Sequence, residues 1–158
     1  MIIFVNEFID FCRLTGQINK IELLDMQARI YLNIGVVKEH MEEFEESIVY
    51  MEKAIKISKS NDIYELLHQC YISASLLYQY KKNDSALALR FCNMALEVAE
   101  RLPEKLKKVC ETLFTKSEIM IKVGDFHSAK QILNKAYKMN STDLNDRQNI
   151  EKTLKVGK

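Results

Sequence analysis

Apolar residues recur along this chain in steps of three and four, the spacing of one face of an α-helix. Read for that period, the sequence divides into seven or eight helices joined by short polar turns. A first helix covers about 3–14, and a break follows near Thr15–Gln17. A long helix covers about 20–41 and its mate about 44–58. Asp62, with Glu65 three residues on, has the form of a capping box opening the next helix, which runs to about Lys82. Another covers about 84–101, and Pro103 suits the first turn of its successor, which ends at Gly124–Asp125. A helix at about 126–139, the connection Asn140–Asp143 and the beginning of a further helix complete the chain.

Small residues inside this pattern repeat at a fixed interval. Ser47 and Ala54 are followed by Ala88 and Ala95, then by Ala129 and Ala136, each step being 41 residues. Within each pair the members are seven apart and share a helical face. Small side chains there let a neighbouring helix come close, and a repeat of this length marks a stack of helical hairpins. The first helix of each pair carries a small residue of its own: Gly35, Ala74 and Ser117. From these to the partner's first small residue is 12, 14 and 12 residues, so the second turn is expected to hold two extra residues. Phe44 and Phe126 open the second helices of the outer pairs and are expected to close over the turn, a place taken by Ser85 in the middle copy.

Composition agrees with an all-helical array. Only 4 glycines and 1 proline occur in 158 residues, too little turn material for a β sandwich. Lysine plus arginine number 23 against 22 acidic residues, with no basic stripe, so no direct nucleic-acid binding is expected. No stretch is apolar and long enough for a bilayer, and no membrane partner is expected. The opening segment MIIFVNEFIDFCRL is apolar but carries Glu7 and Asp10 and lacks a basic leader, which suits an amphipathic helix better than a signal peptide.

Catalytic chemistry finds little support. Cys12, Cys70, Cys92 and Cys110 all fall in core-like positions and read as reduced thiols. His68 and Cys70 are two apart and point apart on a helix, while His40 and His127 lie on other hairpins, so no zinc set forms. The four glycines are isolated and make no phosphate loop. No catalytic residue, metal or cofactor is expected. The four glutamates of Met41–Glu46 read as a solvated face, as do Lys105, Lys107 and Lys108.

The stretches YLNIGVVKEHMEEFEESIVYMEKAI (Tyr31–Ile55) and VGDFHSAKQILNKAY (Val123–Tyr137) resemble the tetratricopeptide repeat. Lys38 and Lys116 depart from it at normally apolar positions. The resemblance implies a right-handed α-solenoid of about three hairpins, 20–58, 62–101 and 104–139 within an array at 20–140. Residues 1–19 would then form a flanking helix and 141–158 a tail or further helix.

Within that family the chain is most similar to the N-terminal repeat region of Tonsoku-like proteins. The segments carrying this are DMQARIYLNIGVV, KAIKISKSNDIYELLHQCY and VGDFHSAKQILNKAYKMNS. The resemblance implies a non-enzymatic nuclear scaffold acting in homologous-recombination repair of damaged replication forks. The ankyrin and leucine-rich regions of that family are absent from these residues, so histone reading is not implied. A fragment or a shortened relative is expected. Two alternatives are a generic adaptor of the spindle-orientation or motor-cargo kind, which would be cytoplasmic, and a bacterial-type peptide-sensing regulator.

The candidate site is a concave groove lined by inner helices, open to a protein or peptide. Its first hairpin would offer Arg29, Leu32, Asn33 and Val36. The second would offer His68, Tyr71, Ile72, Ser75 and Tyr78, and the third Glu111, Phe114, Thr115, Glu118 and Lys122. Leu32 and Val36 stand where chaperone-tail-binding relatives carry Lys and Asn, so a carboxylate clamp is not expected. A stack needs polar capping helices. The apolar N-terminal segment and half-finished C-terminal hairpin predict self-association through uncapped ends.

Overall fold

The computed structural model describes residues 2–16, 19–139 and 144–156, and every regular element among them is an α-helix. In order these are α1 (Ile2–Thr15), α2 (Lys20–His40), α3 (Phe44–Ser60), α4 (Tyr64–Tyr80), α5 (Ser85–Ala99), α6 (Lys105–Lys122), α7 (Phe126–Met139) and α8 (Leu144–Val156). The expected connections at Gln17 and Asn140–Asp143 lie outside the described residues. The class is the all-α one that the period of apolar positions implies. Residues 1–74 and 75–158 form two compact units, the boundary falling within α4.

In the first unit α1 lies on α2, with Ile9 and Cys12 buried against Leu23. Asn19 caps α2: its side chain accepts from the N–H of Glu22 at 2.9 Å, and the Glu22 carboxylate accepts from the N–H of Asn19. This reciprocal box satisfies two donors that a helix start leaves open. α2 packs along α3 at Gly35, where Ser47, Met51 and Ala54 are buried. The Tyr31 and Tyr50 rings stack at 6.2 Å, with the Lys53 ammonium 5.5 and 5.3 Å from their centroids.

In the second unit α5 packs on α6, α6 on α7 and α7 on α8. Ala88 and Cys92 meet Ile119 in one cluster, and Ala99, Val109, Leu113, Leu133 and Ala136 form another. All six small residues of the 41-residue repeat are buried, the largest exposure being 2% at Ala129. Their burial is what a close helix approach requires.

The same interval appears in the backbone. Glu42, Asn83 and Gly124 adopt left-handed φ values of 62°, 54° and 85°, at successive intervals of 41 residues. Each closes a turn between paired helices. In the outer turns the following N–H bonds the carbonyl five residues back, Glu43 to Lys38 and Asp125 to Met120. In the middle turn Asp84 reaches six back, to Tyr78. That turn holds four residues (81–84) where the outer two hold three, so the expected two extra residues are in fact one. Ser75, and not Ala74, is the counterpart of Gly35. It precedes Ala88 by 13 residues, one more than the 12 between Gly35 and Ser47, and a serine hydroxyl bonds the facing carbonyl at both crossings.

Three local expectations change. Ile63, and not Asp62, is the residue that precedes α4: Asp62 takes a left-handed φ of 55° and accepts from the Tyr64 hydroxyl at 2.9 Å. Pro103 sits in the turn ahead of α6, which Glu104 and not Pro103 opens. Phe126 is 49% exposed and covers its turn only in part, while Phe44 is half-buried. The two lysines at apolar positions find polar partners. Lys38 pairs with Glu43 and Glu46, and these carboxylates hold its ammonium above the ordinary lysine range. Lys116 donates to the Asn93 side-chain oxygen at 2.8 Å.

Candidate functional site

In the first unit, Arg29, Asn33 and Val36 stand at i, i+4 and i+7 on α2, one face of the helix. Arg29 and Asn33 are exposed and Val36 is half-buried. The Arg29 guanidinium donates to the Asp25 carboxylate at 2.7 Å, one turn earlier, which steadies it without removing it from solvent. Leu32, His68 and Tyr71 are buried, and Ile72 is half-buried.

In the second unit, Ser75 is fully buried: its hydroxyl donates to the Ala88 carbonyl at 2.8 Å and lies 3.2 Å from the Cys92 sulfur. Tyr78 is half-buried, its ring stacked on Phe91 at 5.5 Å. On α6, Glu111, Thr115, Glu118 and Lys122 follow at i, i+4, i+7 and i+11, a single polar stripe. Phe114, beside that stripe, packs on the cluster around Leu113 and Leu133. Thr115 is occupied locally, donating to the Glu111 carbonyl at 3.2 Å.

Leu32, His68, Tyr71 and Ser75 therefore fill the interior of their units, and Arg29, Asn33, Glu111 and Lys122 are exposed. The helical period groups residues on a face, but it does not say which face a neighbouring helix covers. Tyr80 was not anticipated. It is 53% exposed at the end of α4, and the Lys122 ammonium lies 4.8 Å from its ring centroid while donating to the Gln79 carbonyl at 2.8 Å. The pair Tyr78 and Tyr80 ending an apolar helix was the available signal. Partial burial raises the carboxyl of Glu118 above the ordinary range, and it also raises the Tyr80 phenol.

Burial pushes the Cys70 thiol up to about 12, against the opposing influence of Ser58 and Arg29, and it raises Cys92 likewise. A thiol so raised is a poor nucleophile at neutral pH. Among the described residues no three His, Cys, Asp or Glu side chains gather as a metal set, and no helix is long and apolar enough to cross a membrane.

Paired helices with small residues buried at each crossing and a left-handed turn every 41 residues define a helical-repeat scaffold. The tetratricopeptide repeat model matches residues 28–61 and 111–143, and these segments are repeats of that kind. A solved structure, the N-terminal domain of stress-induced protein-1 from C. elegans, aligns over 82% of this chain and 96% of its own. Its TM-score is 0.65 at 18% identity, which speaks for the fold alone.

The chain is also similar to Tonsoku-like proteins. That of Drosophila melanogaster is 70% identical over 143 residues, 90% of this chain, and that of Bos taurus 30% identical over 144 residues. The chain spans about 10% of the length of these relatives. The tetratricopeptide fold is a non-enzymatic scaffold type that generally binds proteins or peptides.

Proposed function

We propose that this chain is the repeat scaffold of a Tonsoku-like system, gathering proteins for homologous-recombination repair at damaged replication forks in the nucleus. The observation that carries the reading is the 70% identity to the Drosophila melanogaster protein across 90% of the chain. The inner-helix residues Arg29, Asn33 and Val36 in the first unit, and Glu111, Thr115, Glu118 and Lys122 in the second, supply the contacts. Their mix of charge and half-buried apolar surface suits a protein or peptide, with Tyr78 and Phe114 as aromatic neighbours. A cytoplasmic adaptor of the same fold is the competing reading.

The test is quantitative affinity purification of the tagged chain from nuclei, with and without stalled forks. The reading expects fork-repair proteins among the captured set, and their loss with Asn33→Arg plus Lys122→Glu. Capture of motor or cortical proteins instead, unaffected by those substitutions, contradicts it.

A further inference from the structure

We infer that the cleft between α1 and α2 is a second recognition site, one that takes a short acidic and apolar stretch of a partner protein. The inference rests on the scaffold reading above but concerns a face that the inner-helix residues do not share. The cleft has a volume of about 430 Å³, and Ile9, Arg13, Lys20, Leu23, Leu24 and Gln27 line it. Its residues are two helix faces: 9 and 13 on α1, and 20, 23, 24 and 27 on α2.

Three leucine or isoleucine side chains make the walls, and both charged residues are cations. Arg13 lies in the last turn of α1, where a cation suits the helix dipole, so its place there has a structural explanation. Lys20 has none. It is the first residue of α2, the end at which a cation opposes the dipole. The acids near the two cations hold them only weakly. Asp10 approaches Arg13 only to 3.8 Å with both side chains about two-thirds exposed, and the Glu22 carboxylate is turned onto the N–H of Asn19. Neither acid lines the cleft. An anion at its mouth gains from Arg13 and Lys20 together.

The dimensions narrow the occupant. Lys20 to Gln27 spans seven steps of a helix, about 10 Å at ~1.5 Å per residue. An extended peptide covers that in about three residues at ~3.3 Å each. The Gln27 amide, which offers a donor and an acceptor, stands at the far end for a peptide backbone. The fit is one apolar side chain in the cleft with a carboxylate beside it, at the cation end.

The probe is an acetylated, amidated pentapeptide of two aspartates, a leucine, a phenylalanine and a glutamate, titrated by calorimetry and methyl NMR. The inference expects shifts at Ile9, Leu23 and Leu24 and binding weakened at least tenfold by Arg13→Glu with Lys20→Glu. Added salt should weaken it too, and replacing the two apolar peptide residues by alanine should abolish it. Both substituted side chains are exposed, and circular dichroism checks that the variant stays folded. Equal binding of a lysine-substituted peptide, unmoved cleft methyls, or undiminished binding by the charge-reversed variant would overturn it. Loss of the pentapeptide with Asn33→Arg plus Lys122→Glu, the cleft variant binding normally, also overturns it but leaves the inner-helix reading standing.

Discussion

The Ser47 hydroxyl donates a 2.7 Å hydrogen bond to the main-chain carbonyl of Gly35, joining α3 to α2 at a point where both residues are buried. The bond exists because neither residue carries bulk at the crossing. A Cβ added to Gly35 would lie 3.1 Å from the Met51 side chain and 3.2 Å from the Ser47 carbonyl. Gly35→Ala should therefore lose about 1 kcal/mol in urea unfolding, since overpacking costs about 1–3 kcal/mol and helix propensity returns only about 1. A more stable variant would show that the helices are free to move apart.

Ser47→Ala tests the bond itself. Its loss should cost about 1 kcal/mol, the usual net worth of one buried hydrogen bond. No change in the unfolding midpoint would mean that the close approach, and not the bond, holds the pair.

The left-handed turn residues predict opposite signs. At Gly124 a Cβ would meet nothing within 4 Å, so Gly124→Ala tests backbone strain alone and should cost about 1 kcal/mol. Glu42 holds the equivalent position with a side chain, and Glu42→Gly should stabilise by roughly 0.5 kcal/mol. Equal effects at both sites would contradict the equivalence of the turns.

Alkaline pH should destabilise the fold through Cys70. The folded thiol keeps its proton to about 12, whereas the unfolded one releases it near 9.0. Between these values the unfolded chain binds fewer protons, so stability falls as pH rises, by about 1.4 kcal/mol per pH unit at most. Cys70→Ala should flatten that slope while lowering stability at neutral pH. An unchanged slope in urea titrations at pH 8 to 10 would contradict the burial of this thiol.

Along α1, Phe4, Phe8, Phe11 and Leu14 are 76, 49, 58 and 87% exposed. The isolated chain should therefore self-associate, its mean mass in sedimentation rising with concentration, and Phe8→Asp with Phe11→Asp should restore the monomer. A concentration-independent monomer would contradict it.

The fold was legible wherever burial demands small residues. Ser47, Ala54, Ala88, Ala95, Ala129 and Ala136 showed the crossings in advance, because a close helix approach favours small side chains, and all six are buried. Turn conformation was less legible. Glu42 and Asn83 take the left-handed shape of Gly124 without being glycine, so the equivalence appears only in φ. The helix start near Asp62 was legible but not the left-handed φ of that residue, which a matching residue pair does not reveal, whereas Asn19 and Glu22 form a reciprocal box at the start of α2. Among the candidate residues, Arg29 and Lys122 are exposed, as their polar character suggests. The burial of Leu32, His68, Tyr71 and Ser75 was not legible, since it depends on which neighbour covers each face.

The measurement that bears most directly on the account is survival of cells under a topoisomerase poison when the gene for this chain carries Asn33→Arg and Lys122→Glu. The account predicts drug sensitivity with normal protein level and normal circular dichroism of the purified variant. Wild-type survival with the protein present would contradict a fork-repair scaffold acting through its inner helices.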